Sequence, residues 1–173
     1  MDREGSRAPV AALKQFDTRL PVEQTVGEIH QLLADHGVRR IQSEYDGAGR
    51  IVAITFELPV GRTAQHFRLP VHPDRVYRLL EMQHDQGIID LPSSLVSMEH
   101  AARVAWRHIY DWIAAQVTLA ETEQISLDEA LSPYMLAKGT TVTVYDIIRE
   151  RVLALPDGGD SRPTIEAPAE PEA

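Results

Sequence analysis

The stretch 97–123, SMEHAARVAWRHIYDWIAAQVTLAETE, limits what this chain can fold into more than any other part of it. It lies in the longest run free of Pro and Gly, and it holds both tryptophans. The hydroxyl of Ser97 is placed to accept from an orphaned amide of a first helical turn, which is the task of an N-cap. Beyond it Ala102, Ala105, Trp106, Ile109, Trp112, Ile113, Gln116, Val117 and Ala120 recur at three- and four-residue spacing. That period predicts one long helix with a wide buried face. Arg103, Arg107 and Asp111 form a row at four-residue spacing on the opposite side. The row reads as the outer edge of a core helix, with Arg103 and Arg107 as a candidate partner-docking surface.

The rest of the chain supplies a small sheet and further helices. A helix is expected over 25–36, capped by Thr25, with Val26, Ile29, Leu32 and Leu33 on one face and Gly37 as its left-handed terminator. Three strands follow, over 38–45, 50–58 and 63–69. The first pair is joined by Asp46-Gly47-Ala48-Gly49 and the second by a Pro59-Val60-Gly61 turn. Alternation in the middle strand puts Val52, Ile54, Phe56 and Leu58 on its apolar face. Residues 13–20 are a candidate fourth, edge strand. Pro73 suits the first turn of a helix that buries Val76, Leu79, Leu80 and Gln83 and stops before Gly87. Ser126 caps a short helix that Pro133 kinks or restarts, and 145–153 reads as the last helix. The expected fold class is α+β: a three-stranded, or with 13–20 four-stranded, antiparallel sheet packed on a long central helix and several shorter ones. Domain 13–155 is expected between a loose arm at 1–12 and a disordered acidic, Pro/Ala-rich tail at 156–173.

Charge is unevenly placed along the 173 residues, whose formal net charge is −9. Residues 39–108 hold nine Arg against eight acids, whereas 111–173 hold four bases against twelve acids. The overall acidity argues against indiscriminate nucleic-acid binding yet leaves room for a local basic face. There are no cysteines, which excludes disulfides, thiolate metal sites and a cysteine nucleophile. No apolar run approaches the roughly 20 residues that span a bilayer, and the first residues lack the apolar core of a signal peptide. A cytoplasmic protein with no membrane partner is the expectation.

Motifs for chemistry are missing. There is no G-x-x-x-x-G-K-[ST] and no G-x-G-x-x-G after a strand, and neither G-x-S-x-G nor H-E-x-x-H occurs. Gly47 and Gly49 sit in a strand-to-strand turn, so no helix N-terminus follows to hold phosphate. His30 and His36 are six residues apart and fall on different faces of their helix. Glu81 and His84 have the Glu-x-x-His spacing of di-metal bundles, but such sites need a second copy and two further Glu. No catalytic residue, metal or cofactor is therefore expected.

The positive signal is arginine. Arg50 and Arg68 fall on or beside the hairpins, while Arg75 and Arg78 sit close together in the helix that Pro73 opens. With Tyr77 nearby, these four make a candidate nucleic-acid surface that tracks phosphates and stacks a base. The competing reading is a solvated arginine face balanced by Glu44, Glu57 and Asp74. The helix–three strands–helix order over 25–83 matches the topology of a double-stranded RNA-binding domain. That fold's chemistry, however, needs lysines at the start of its last helix, where this chain has HPDRVYRLL.

RVAWRHIYDWIAAQVTLAE at 103–121, followed by LDEALSPYML at 127–136, resembles a family of small uncharacterised proteins of bacterial genomes, phages and mobile elements. EYDGAGRIVAITFEL and HFRLPVHPDRVYRLLE are similar to the same family's middle section, so the resemblance covers about 25–151. It implies a setting, and no activity or site residue comes with it. The leading expectation is a non-enzymatic accessory protein of phage or mobile-element type, contacting nucleic acid or a replication or recombination complex. The acidic tail would then mimic nucleic acid or aid solubility. The alternative is a protein-interaction module, homo-oligomeric or binding a host partner, with no nucleic-acid role.

Overall fold

The computed structural model describes residues 11–154. The expected tail, and the expected arm except for residues 11 and 12, lie outside them. The order is α1 (Val22–Asp35), β1 (Arg39–Tyr45), β2 (Ile51–Val60), β3 (Thr63–Arg68), α2 (Pro73–Asp85), α3 (Met98–Glu121), α4 (Leu127–Leu131) and α5 (Val144–Ala154). The strands form one antiparallel sheet in the order β1-β2-β3. The fold is therefore α+β, with α3 as its long helix.

Local chemistry sets most element ends. Ser97 Oγ accepts from the amide of His100 at 3.2 Å and starts α3; Ser126 Oγ does the same for Glu129 at the start of α4. Gly37 at φ +82° closes α1 in a Schellman motif: its amide bonds the Ala34 carbonyl, and Val38 N reaches back to Leu33 O. Pro133 is the second residue of a 3-10 turn, Ser132–Tyr134, that follows α4 directly. Two ends differ from expectation. The first helix begins at Val22 rather than at Thr25, because Pro21 takes the N-cap position and Thr25 is a buried residue of the second turn. The β2–β3 connection is the two-residue loop Gly61-Arg62, with Val60 paired to Thr63 and Gly61 at φ +59°. Positive φ at the first loop position is what a type II′ hairpin requires, so Pro59 stays within the strand.

Two apolar clusters meet along α3. In the larger, Ile29 and Leu33 of α1, Ile54 and Phe56 of β2, Phe67 of β3 and Trp106 and Ile113 of α3 are buried together. Phe56 and Phe67 are register partners whose rings stack at 5.5 Å. In the smaller, Leu80 of α2 meets Ile89, Leu91 and, from α3, Ala101 and Val104. The long helix is thus buried on two sides, which its predicted single stripe did not include. The apolar face of β2 also departs from strict alternation. Ile51 and Ala53 are buried while Val52 is 44% exposed, because the register slips there: Tyr45 pairs Ile51 and Glu44 pairs Ala53, which leaves Val52 as an extra residue of β2 and changes the phase of its faces.

Residues 13–20 do not form a strand. The main chain turns at 14–17 and crosses α2 and α3, held there by side chains. Gln83 Oε1 accepts from Leu13 N at 2.9 Å and Gln83 Nε2 donates to Ala11 O at 3.0 Å. His100 and His108 each bond a carbonyl of this segment, of Phe16 and Lys14 respectively, at 2.6 Å. The edge of β3 is instead covered by residues 135 and 136, through a bridge between Phe67 and Met135 and a 2.7 Å bond from Leu136 N to His66 O.

Candidate nucleic-acid interface

The segment that covers the β3 edge also builds one wall of a groove. After the bridge at Met135 the chain turns and enters α5 through a capping box. Thr143 Oγ1 accepts from Asp146 N, and Asp146 Oδ2 accepts from both the amide and the hydroxyl of Thr143. This sets α5 across from the start of α2 and the end of β3. A groove of about 850 Å³ runs between them, lined among others by Arg68, His72, Arg75, Tyr134, Tyr145 and Arg149.

Three arginines face this groove against one lining acid, Asp146. Arg68 donates to Glu44 at 2.8 Å. Arg75 and Arg149 are exposed, and among the described residues neither pairs with a carboxylate. The acid is already engaged: the Thr143 hydroxyl, then the Thr143 amide, then the Arg149 charge hold Asp146 below the ordinary carboxylate range. Aromatic surface lies beside the cations. Tyr134 is fixed by an edge-to-face contact with Trp112 of α3, centroids 5.2 Å apart, while Tyr145 is 52% exposed. Uncompensated guanidiniums next to a solvent-facing ring suit a phosphate and an unstacked base.

Of the residues singled out from sequence, this groove joins Arg68 and Arg75 only. Arg78, one turn further along α2, is paired with Asp74 at 3.2 Å, and Tyr77 bonds Glu81. Arg50 lies in the β1–β2 turn, where Asp46 accepts from both its amide and its guanidinium and is held below the usual carboxylate range by them. It lines a separate cavity of about 330 Å³ with Arg103, between the starts of α1, α2 and α3. Arg103 is paired with Glu99 of its own helix. The two arginines of this smaller cavity are thus answered locally, and its walls are largely apolar: Val22, Ile51, Val52, Met98 and Ala102. Arg107 is 18% exposed, bonded to Glu28 of α1 at 2.7 Å and stacked over Tyr110 at 4.1 Å. It joins two helices.

Arg149 and Tyr145 are the contributors that sequence reasoning missed. A signal existed: the T-V-Y-D capping box at 143–146 fixes the start of α5 and puts Tyr145 and Arg149 one turn apart on one side. Among the described residues no group of three His, Asp or Glu is placed to hold a metal ion. No helix there is long and apolar enough to cross a membrane. Compared with known proteins, the chain matches no family model, no curated protein and no solved structure.

Proposed function

We propose that this protein binds nucleic acid, as a non-enzymatic accessory protein of the phage or mobile-element kind, through the groove between β3, α2 and α5. The observation that carries this reading is the meeting of Arg68, Arg75 and Arg149 with the exposed ring of Tyr145 in one groove. The guanidiniums would take phosphates, and Tyr145 would stack a base. Stacking needs an unpaired base, so single strands are the favoured form. The resemblance of 103–121 and 127–136 to phage and mobile-element proteins fits that role.

The test is fluorescence anisotropy of labelled single and double strands, DNA and RNA, against the full chain at two salt concentrations. Micromolar binding to single strands, weakened by salt and lost in Arg75→Ala/Arg149→Ala, is expected. Arg62→Ala serves as control, since Arg62 lies in the loop at the far end of β3, about 20 Å of strand away from Arg68. Absence of binding at low salt contradicts the proposal.

A second reading rests on α5. Tyr145, Ile148, Val152 and Leu153 are exposed apolar residues of this one helix, and the first three recur at helical spacing. Such a stripe fits a protein-interaction module that joins a second copy or a host partner. Self-association insensitive to salt and lost in Ile148→Ser/Val152→Ser would favour it.

A further inference from the structure

We infer that the acidic segment 155–173 of this same chain occupies the groove lined by Arg68, Arg75 and Arg149, and that it competes there with nucleic acid. The competitor, though not the contact itself, rests on the function proposed above. Charge complementarity is the first argument. The segment carries Asp157, Asp160, Glu166, Glu170 and Glu172 against the single Arg162. The groove carries Arg68, which is paired with Glu44, and Arg75 and Arg149, against Asp146, whose Oδ2 is held by Thr143. Elsewhere Arg40, Arg50, Arg78, Arg103 and Arg107 each have their own carboxylate. Among the described residues Arg75 and Arg149 pair with no carboxylate, and they share one groove.

Reach is the second argument. The helix α5, which provides Tyr145 and Arg149, ends at Ala154. Five residues of helix rise about 7.5 Å, whereas the twelve residues from Ala154 to Glu166 reach about 40 Å when extended. The carboxylates therefore return to the groove without strain. A short tether of this kind holds them at an effective concentration near millimolar, so even weak pairing competes with a ligand in solution.

The test compares the full chain with a variant whose five acids are amidated: Asp157→Asn, Asp160→Asn, Glu166→Gln, Glu170→Gln and Glu172→Gln. In 1H–15N spectra at low salt, the amides of 68–75 and 141–149 are expected to differ between the two, and the difference to vanish near 0.5 M salt, where the Debye length is only about 4 Å. Identical groove amides overturn the inference. So does a difference centred instead on Arg39 or Arg62. In a second arm, a labelled single strand is expected to bind the amidated chain about 3- to 10-fold more tightly at low salt. Equal affinity of both chains overturns the competition. If neither chain binds the strand while the groove amides still respond, the contact stands and the nucleic-acid function fails.

Discussion

Trp112 of α3 and Tyr134 of the turn after α4 meet edge to face, ring centroids 5.2 Å apart and planes at 78°. Their contact fastens the segment that covers the β3 edge to the central helix, and so fixes one wall of the arginine groove. Both rings are half-buried. Trp112→Ala is expected to destabilise the protein by about 2 kcal/mol, less than the ~3–5 of a fully buried ring. Amide exchange over 132–136 should accelerate more than exchange in β2. Unchanged exchange over 132–136 would show that another contact holds the segment.

The end of α3 carries a residue in an unsuitable conformation. Glu123 has φ +56°, and its amide bonds Ala120 O while Gln124 N bonds Leu119 O. This is the same Schellman closure that Gly37 gives α1, built on a residue with a Cβ. The left-handed conformation costs a non-glycine residue about 1–2 kcal/mol, partly offset in a glycine variant by its freer unfolded chain. Glu123→Gly should therefore stabilise by about 0.5–1 kcal/mol, read as a higher denaturant midpoint with unchanged slope. A lower midpoint would mean that the Glu123 side chain makes a contribution of its own.

His36 ties the ends of two helices together. Its Nδ1 lies 2.7 Å from Leu32 O and its Nε2 3.0 Å from Glu121 Oε1. The Leu32 carbonyl first, then the Glu121 carboxylate, raise its pKa above the ordinary 6.5. Because the folded value lies above the unfolded one, the stabilisation is whole below pH 6.5 and is lost as pH rises through the folded value. His36→Ala should accordingly cost more stability at about pH 5.5 than at about pH 8.5. An equal cost at both would place the role of His36 in packing alone.

Legibility in the sequence followed the range of the interactions. Ser97, Ser126 and Pro73 announce their helices because a cap acts within one turn, and the three strands follow from alternation and turn residues. The first helix starts three residues early because Pro21, rather than Thr25, takes the cap position. The course of 13–20 was hidden because Leu13 and Phe16 are held by Gln83 and His100, about seventy and eighty-four residues away. The groove divides in the same way. Arg68 and Arg75 are neighbours in sequence, but Arg149 is brought to them by the long-range bridge between Phe67 and Met135 and the further bridge between Leu136 and Thr143. Arg50 and Arg78 look equivalent to Arg75 in the sequence, and differ from it in being paired with Asp46 and Asp74.

The most direct test of the nucleic-acid function is the salt dependence of single-strand affinity. It is best taken in the chain with its five C-terminal carboxylates amidated, so that they do not compete. Each phosphate contact on a single strand contributes about −0.7 to the slope of log K against log salt. Arg75→Ala/Arg149→Ala should weaken binding and make the slope shallower by about 1.4, while Arg62→Ala leaves it unchanged. A double variant with the slope and affinity of its parent would contradict the account.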